Sequence, residues 1–144
     1  MAQISRSALV PFSAGKMYQL VNDVDSYPQF LPGCTGSKIL EQSEQQMTAS
    51  VDVSKAGISK TFTTRNTLTE DQRIAMELVD GPFRKLTGGW TFTPLGDDAC
   101  KVELSLDFEF SNMLVEMAFG RIFKELANNM VKAFSERAHE VYRG

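Results

Sequence analysis

Between Cys100 and Phe110 apolar and polar residues alternate without a break, so Cys100, Val102, Leu104, Leu106, Phe108 and Phe110 share one face. A period of two predicts a strand with one side on a core and the other in water. The sheet it belongs to must therefore be covered on one side. Residues 111–142 contain no proline, and Leu114, Met117, Ala118, Phe119, Ile122, Phe123, Leu126, Met130, Val131, Phe134 and Val141 recur at three- and four-residue spacings. That spacing predicts one long amphipathic helix, with Ser111 or Asn112 as its cap. Such a helix spans about 45 Å, against about 35 Å for a ten-residue strand. It is expected to lie across several strands of a curved sheet.

The earlier pattern supplies those strands. Residues 3–10 read as a first strand ended by Pro11, and Ser13 as the cap of a short helix carrying Met17, Leu20, Val21 and Val24. Pro28 pushes the residue before it away from helical geometry, so this helix is expected to stop near Tyr27. A second short helix or turn covers 25–31, and Pro32-Gly33 closes the unit. Ser37 to Glu44 reads as a strand, and the alternating runs 47–54 and 58–69 flank Lys55-Ala56-Gly57 as a hairpin. Further strands run from Arg73 to Val79 and through Trp90 and Phe92, closed by Pro94 to Asp98. The expected fold is α+β: a curved antiparallel sheet of six to seven strands around a long C-terminal helix, with two short helices after the first strand. Residues 1–144 read as one domain, without internal repeats or linkers.

Composition narrows the function classes. Of 144 residues, 42% are apolar and 23% charged, ordinary for a soluble domain. The N-terminal Met-Ala-Gln-Ile-Ser-Arg runs directly into strand-like alternation instead of a basic start and apolar core, and no apolar stretch is long enough to span a bilayer. A cytoplasmic protein without a transmembrane segment is expected. The net charge of −3 is uneven: residues 1–54 carry three basic and five acidic side chains, 55–90 six and four, and 91–144 six and nine. That balance argues against DNA as a partner, because nonspecific nucleic-acid binding rests on a basic field over the contact surface. A local contact through Lys55, Lys60, Arg65, Arg84 and Lys85 is compatible with it, as is ordinary solvated charge.

Catalytic groups are sparse. His139 is the single histidine and sits near the C-terminus among polar neighbours. Gly-x-Ser-x-Gly is absent, and Thr87-Gly88-Gly89-Trp90 lacks the Lys-Ser/Thr tail of a phosphate loop. Asp23 and Asp25, two apart at a helix end, point different ways. The two cysteines, Cys34 and Cys100, read as small core residues, and no metal-ligand set is visible. No catalytic and no metal residues are expected, and the chain reads as a non-enzyme that requires no cofactor. What the inventory does offer is bulk: ten phenylalanines and seven methionines. A curved sheet gripping a helix can enclose a cavity, and Phe62, Trp90, Phe108, Phe110, Phe119, Phe123, Met130 and Phe134 are candidates either to line it or to fill the core.

Two stretches go beyond pattern. Residues 21–34 contain Tyr27-Pro28-Gln29-Phe30-Leu31-Pro32, and residues 79–92 contain Gly81-Pro82-Phe83, Leu86 and Gly88-Gly89-Trp90-Thr91-Phe92. Together they resemble the coenzyme Q-binding branch of the polyketide cyclase/START-like superfamily, and the inferred element order matches its helix-grip fold over the whole chain. Within that branch the likeness runs to ribosome-association toxins, most closely at residues 51–66. The resemblance implies two roles. One is a carrier of ubiquinone or a similar polyisoprenoid in support of respiration, which would touch a membrane transiently to collect its ligand. The other is binding to the large (50S) ribosomal subunit, blocking subunit association and translation initiation. A cyclase-like enzyme on an apolar substrate occurs elsewhere in the superfamily, but no acid/base pair for it is visible here. In the carrier reading Tyr27, Phe30 and Leu31 form an apolar rim, Phe83 and Leu86 are candidates to cover the mouth, and Arg65 and Arg84 are candidates for the head group. In the ribosome reading Lys55 and Lys60 mark the contact surface.

Overall fold

The computed structural model describes residues 2–142. Strand β1 (Ala2–Val10) leads into helix α1 (Ala14–Asn22) and a 3-10 helix (Val24–Gln29). Six strands follow: β2 (Cys34–Gln42), β3 (Gln46–Lys55), β4 (Ile58–Thr69), β5 (Arg73–Asp80), β6 (Phe83–Pro94) and β7 (Cys100–Phe110). Helix α2 (Met113–Val141) closes the described chain. The sheet is antiparallel throughout, with the order β1-β7-β6-β5-β4-β3-β2. Only the β1–β7 pairing is non-sequential, so the first and last strands lie side by side.

Caps set the helix boundaries. Ser13 accepts a hydrogen bond from the Lys16 backbone N–H, and Asn112 one from that of Val115; each satisfies an amide that has no partner within its own helix. Helix α1 stops at Asn22, before the end near Tyr27 expected from Pro28, because the chain tightens into the 3-10 turn that carries Pro28. Strand β2 begins at Cys34 instead of Ser37 and ends before Glu44, which lies in the turn to β3. Strand β6 starts at Phe83, well before Trp90. A bulge between Phe83 and Lys85 breaks the period-two signal there.

One face of the sheet is concave and holds α2. Phe119, Phe123, Leu126, Ala127, Val131, Phe134 and Ala138 turn from α2 toward alternate residues of the strands, among them Val53, Phe62, Trp90, Leu104, Leu106 and Phe108. Cys34 and Cys100 are buried, unpaired members of this core, and burial pushes both thiols up. The curvature that lets one sheet wrap a helix has a local origin in β6. Gly88 and Gly89 have φ values of 134° and 149°, and a Cβ there would lie 2.0 Å from the Ser105 carbonyl oxygen and 2.1 Å from that of Ile74 respectively. The backbone of β6 thus runs too close to both neighbours for any side chain. A further register shift at Thr63/Thr64, between β4 and β5, adds to the bend.

Replacing Gly88 by alanine is therefore expected to cost about 3 kcal/mol or more, the sum of overpacking and a backbone conformation that L-residues avoid. Chemical denaturation followed by far-UV circular dichroism checks this; a loss below about 1 kcal/mol would mean that the strands can spread without penalty.

Candidate functional site

Between α2 and the sheet lies an apolar cavity of about 50 Å³. Its position follows from side-chain size along α2. Toward the N-terminal half of the helix, Phe119 and Phe123 join Phe62, Phe83, Phe108 and Phe110 in a block of edge-to-face and stacked rings, with Phe83 and Phe123 centred 4.8 Å apart. Further along, Phe134 meets Tyr27, Phe30 and Trp90 at 5.0–5.3 Å between centroids. Between these two aromatic plugs the facing residues are small or flexible: Ala127 and Met130 on α2, Ala49 and Val51 on β3, and Met76 on β5. The plugs fill their ends of the groove and the small residues do not fill the middle.

Six of the ten ligand-binding candidates line this space: Tyr27, Leu31, Phe62, Trp90, Phe123 and Met130. The other four do not. Phe108, Phe110 and Phe119 are buried within the first plug, and Phe30 packs beside Phe134 with the Arg137 guanidinium 5.1 Å from its ring centre. Phe83 is buried in the first plug and so is no cover for a mouth; Leu86 is likewise buried and lines the cavity wall. The hydroxyl of Tyr27 donates to the Val21 carbonyl oxygen, and burial holds the phenol far above its ordinary range. Tyr27 is therefore a neutral, committed wall residue.

Neither proposed head-group arginine reaches the cavity. Arg65 alternates with buried Thr64 and Asn66 and so projects from the opposite, exposed face of β4. Arg84 is exposed on β6, where it pairs with Glu109 at 2.9 Å. The polar groups that do line the cavity are Asn22, Thr64 and Asn66, none of which sequence reasoning selected. Thr64 and Asn66, at 5% and 7% exposure, are the buried polar side chains of the described residues, and the Thr64 hydroxyl donates to Asn66 Oδ1 at 2.9 Å. Asn22 closes α1, and its Oδ1 is buried with no hydrogen-bond partner. The signal for the β4 pair was available: they share the parity of Phe62. Among the described residues, no aspartate, glutamate, histidine, lysine or arginine lines the cavity.

Two surface clefts adjoin it. One, of about 290 Å³, shares Leu126 with the cavity and is bordered by Pro32, Gly33 and Val53. Across it Lys55 Nζ meets Glu125 Oε2 at 2.7 Å, tying the β3–β4 hairpin to α2. That hydrogen bond and the ammonium charge lower the Glu125 carboxyl below its usual range. Because the folded-state value is depressed, the contribution of the pair is present above the ordinary carboxylate range and lost as pH falls through the lowered value. The other cleft, of about 820 Å³, shares Asn22 with the cavity and lies beside the β2–β3 turn. Lys55 and Lys60 share the helix-facing parity of the hairpin tip, with Lys55 engaged by Glu125; Arg65 lies on the opposite face of the sheet from them. His139 is exposed and stacks edgewise against Phe12.

The family described as "Polyketide cyclase / dehydrase and lipid transport" matches residues 10–135. The chain is 73% identical to the ribosome association toxin RatA of Escherichia coli K12 over 99% of its own length and 90% of that protein. It is also 27% identical to the coenzyme Q-binding protein COQ10 homolog B, mitochondrial, of Xenopus laevis, covering 97% of the chain and 59% of the relative. Among solved structures, the Zhui aromatase/cyclase of a Streptomyces species superposes with a TM-score of 0.87 at 18% identity, covering 99% of this chain and 96% of that one. At that identity the likeness concerns the fold.

Proposed function

The chain belongs to the polyketide cyclase / dehydrase and lipid transport family, and from that membership and its cavity we propose that it is a non-enzymatic carrier of a neutral hydrophobic molecule, ubiquinone or a similar polyisoprenoid. The observation that carries this reading is the wall itself, which among the described residues holds apolar and aromatic side chains from both layers, three neutral polar ones, and no titratable carboxylate or imidazole. Acid/base catalysis needs a group within hydrogen-bond reach of its substrate that can give or take a proton. The phenol of Tyr27, held neutral and already donating to Val21, does not supply one. A neutral ligand needs no counter-ion, and each methylene it buries contributes about 0.8 kcal/mol, enough over two or three isoprene units to offset the cost of association. The match to a coenzyme Q-binding protein points to the same class of ligand.

At about 50 Å³ the cavity is smaller than the roughly 150 Å³ that holds a benzene ring. Loading therefore widens it. Met76 and Met130 have unbranched, adaptable side chains, and Leu126 separates the cavity from the cleft spanned by the Lys55–Glu125 pair. Exposed Met113, Leu114 and Met117 on the first turns of α2 supply an apolar contact for a transient encounter with a membrane.

A second reading concerns the exterior, and identity to a ribosome association toxin favours it. In it the chain binds the large ribosomal subunit in the cytoplasm, blocks subunit association and inhibits translation initiation. The helix-facing side of the hairpin tip, carrying Lys55 and Lys60, is the proposed contact. Inside and outside need not compete, since the cavity is internal and neither lysine lines it.

Mass spectrometry of the organic extract of protein purified from quinone-producing cells is expected to show a quinone or isoprenoid near one per chain. Ala127→Leu, which fills the cavity from α2, is expected to lower that yield severalfold while changing stability by no more than about 1–3 kcal/mol. An empty extract that stays empty after incubation with added ubiquinone would overturn the carrier reading. For the exterior, sedimentation of purified subunits is expected to show binding that weakens with salt and falls on Lys55→Glu/Lys60→Glu substitution. Unchanged binding of the double variant would place the contact elsewhere.

A further inference from the structure

The hydrogen-bonding capacity of the cavity wall is lopsided. Asn22 Oδ1 is a buried acceptor without a donor. The Thr64 hydroxyl spends its hydrogen on Asn66 Oδ1, which leaves the hydroxyl oxygen with accepting capacity and the Asn66 amide nitrogen with two hydrogens to donate. Tyr27 has already given its hydrogen to Val21. The wall thus presents two acceptors, from Asn22 and Thr64, and one donor group, from Asn66, within a lining that carries no charge. A complementary ligand brings at least one O–H or N–H of its own.

On that ground, and resting on the carrier reading above, we infer that the site selects the reduced, hydroquinone form of its ligand over the oxidised quinone. A quinone offers carbonyl and ether oxygens, which accept and never donate. Bound here it can take a hydrogen from Asn66, but it leaves Asn22 Oδ1 buried and unsatisfied. A hydroquinone fits both sides: its hydroxyls donate to the oxygens of Asn22 or Thr64 and accept from Asn66. The ring itself suits either form, because Tyr27, Phe62, Trp90 and Phe123 all line the space. Fatty acids and phosphorylated lipids fit poorly, since among the described residues no cation lies on the wall to meet their charge. The selectivity therefore lies in the oxygens alone.

Equilibrium dialysis under argon with a ubiquinone bearing a single isoprene unit, pre-reduced or oxidised, tests this on the full chain. A buried hydrogen bond made in one form and missing in the other corresponds to about a tenfold difference, so the hydroquinone is expected to bind about tenfold more tightly. The same factor raises the midpoint potential of the bound two-electron couple by about 30 mV. Asn22→Leu removes the orphaned acceptor and is expected to bring the two affinities to within about twofold, mainly by strengthening quinone binding. Asn22→Ala, which removes the same oxygen without adding bulk, is the second variant, expected to narrow the gap if the leucine variant does not fold. Equal affinities of the unaltered protein for both forms, or tighter binding of the quinone, would overturn the inference and leave the carrier reading standing. Retention of neither form would overturn both together.

Discussion

The helix in the grip of the sheet is the constraint from which the rest follows. An amphipathic helix as long as α2 cannot leave its stripe of Phe119, Phe123, Leu126, Val131 and Phe134 in water, and the alternating faces of β3, β4, β6 and β7 are the surface that covers it. Burying large apolar side chains contributes about 1.5–3 kcal/mol each, the dominant favourable term available to this fold. Yet the stripe is not uniform. Rings fill the groove at both ends, and Ala127 opposite Ala49 and Val51 leaves the middle unfilled. The cavity is thus a by-product of how residue size is distributed along a helix that has to be covered anyway.

Curvature is the second requirement. A flat sheet touches a helix along a line and encloses nothing. The Gly88-Gly89 pair lets β6 approach both neighbours at distances no Cβ tolerates, and the register shifts of β2, β4 and β6 add local bends. The strand order places β1 beside β7, so the sheet extends on that side of the helix as well. Chemistry is then divided by parity. Inward positions carry apolar residues and the neutral Thr64 and Asn66, except at the hairpin tip where Lys55 and Lys60 share that parity, while Arg65, Arg84 and Glu109 of β4, β6 and β7 lie on exposed or partly exposed positions. An interior without charge and an exterior with both signs suit an internal neutral ligand and an independent macromolecular contact.

Much of this was legible in the sequence because two periods, two and three-to-four, are hard to produce by chance over eleven and about thirty residues. The element order, the antiparallel sheet and the long helix all follow from them, while residue type marked Ser13 as one cap and offered Ser111 or Asn112 for the other, of which Asn112 serves. The start of β6 did not, because a bulge shifts its period and a charged Arg84-Lys85 step followed by two glycines reads as a loop. The site was half legible. Composition marks aromatic residues as inward-facing, but whether an inward phenylalanine meets another ring or an open space depends on the register of α2 against the sheet, which no local pattern carries. Hence Phe123 lines the cavity and Phe119, one turn away, does not. The arginines were chosen for their charge, whereas strand parity from Phe62 already pointed to Thr64 and Asn66 as the inward polar groups. Asn22 gave no local signal at all, since a polar residue at the end of a short helix ordinarily meets water.

The central claim is that an apolar ligand sits between α2 and the sheet, within reach of the small and flexible residues that open the groove. Isotope-filtered nuclear Overhauser spectroscopy on the protein with a bound short-chain ubiquinone addresses it directly, since the methyl groups of Ala49, Ala127, Met76 and Met130 all line the cavity. The account predicts contacts from the quinone ring to at least Ala127 and Met130. Contacts confined to the exposed methyls of Met113 and Met117 would contradict it and leave the interior as core alone.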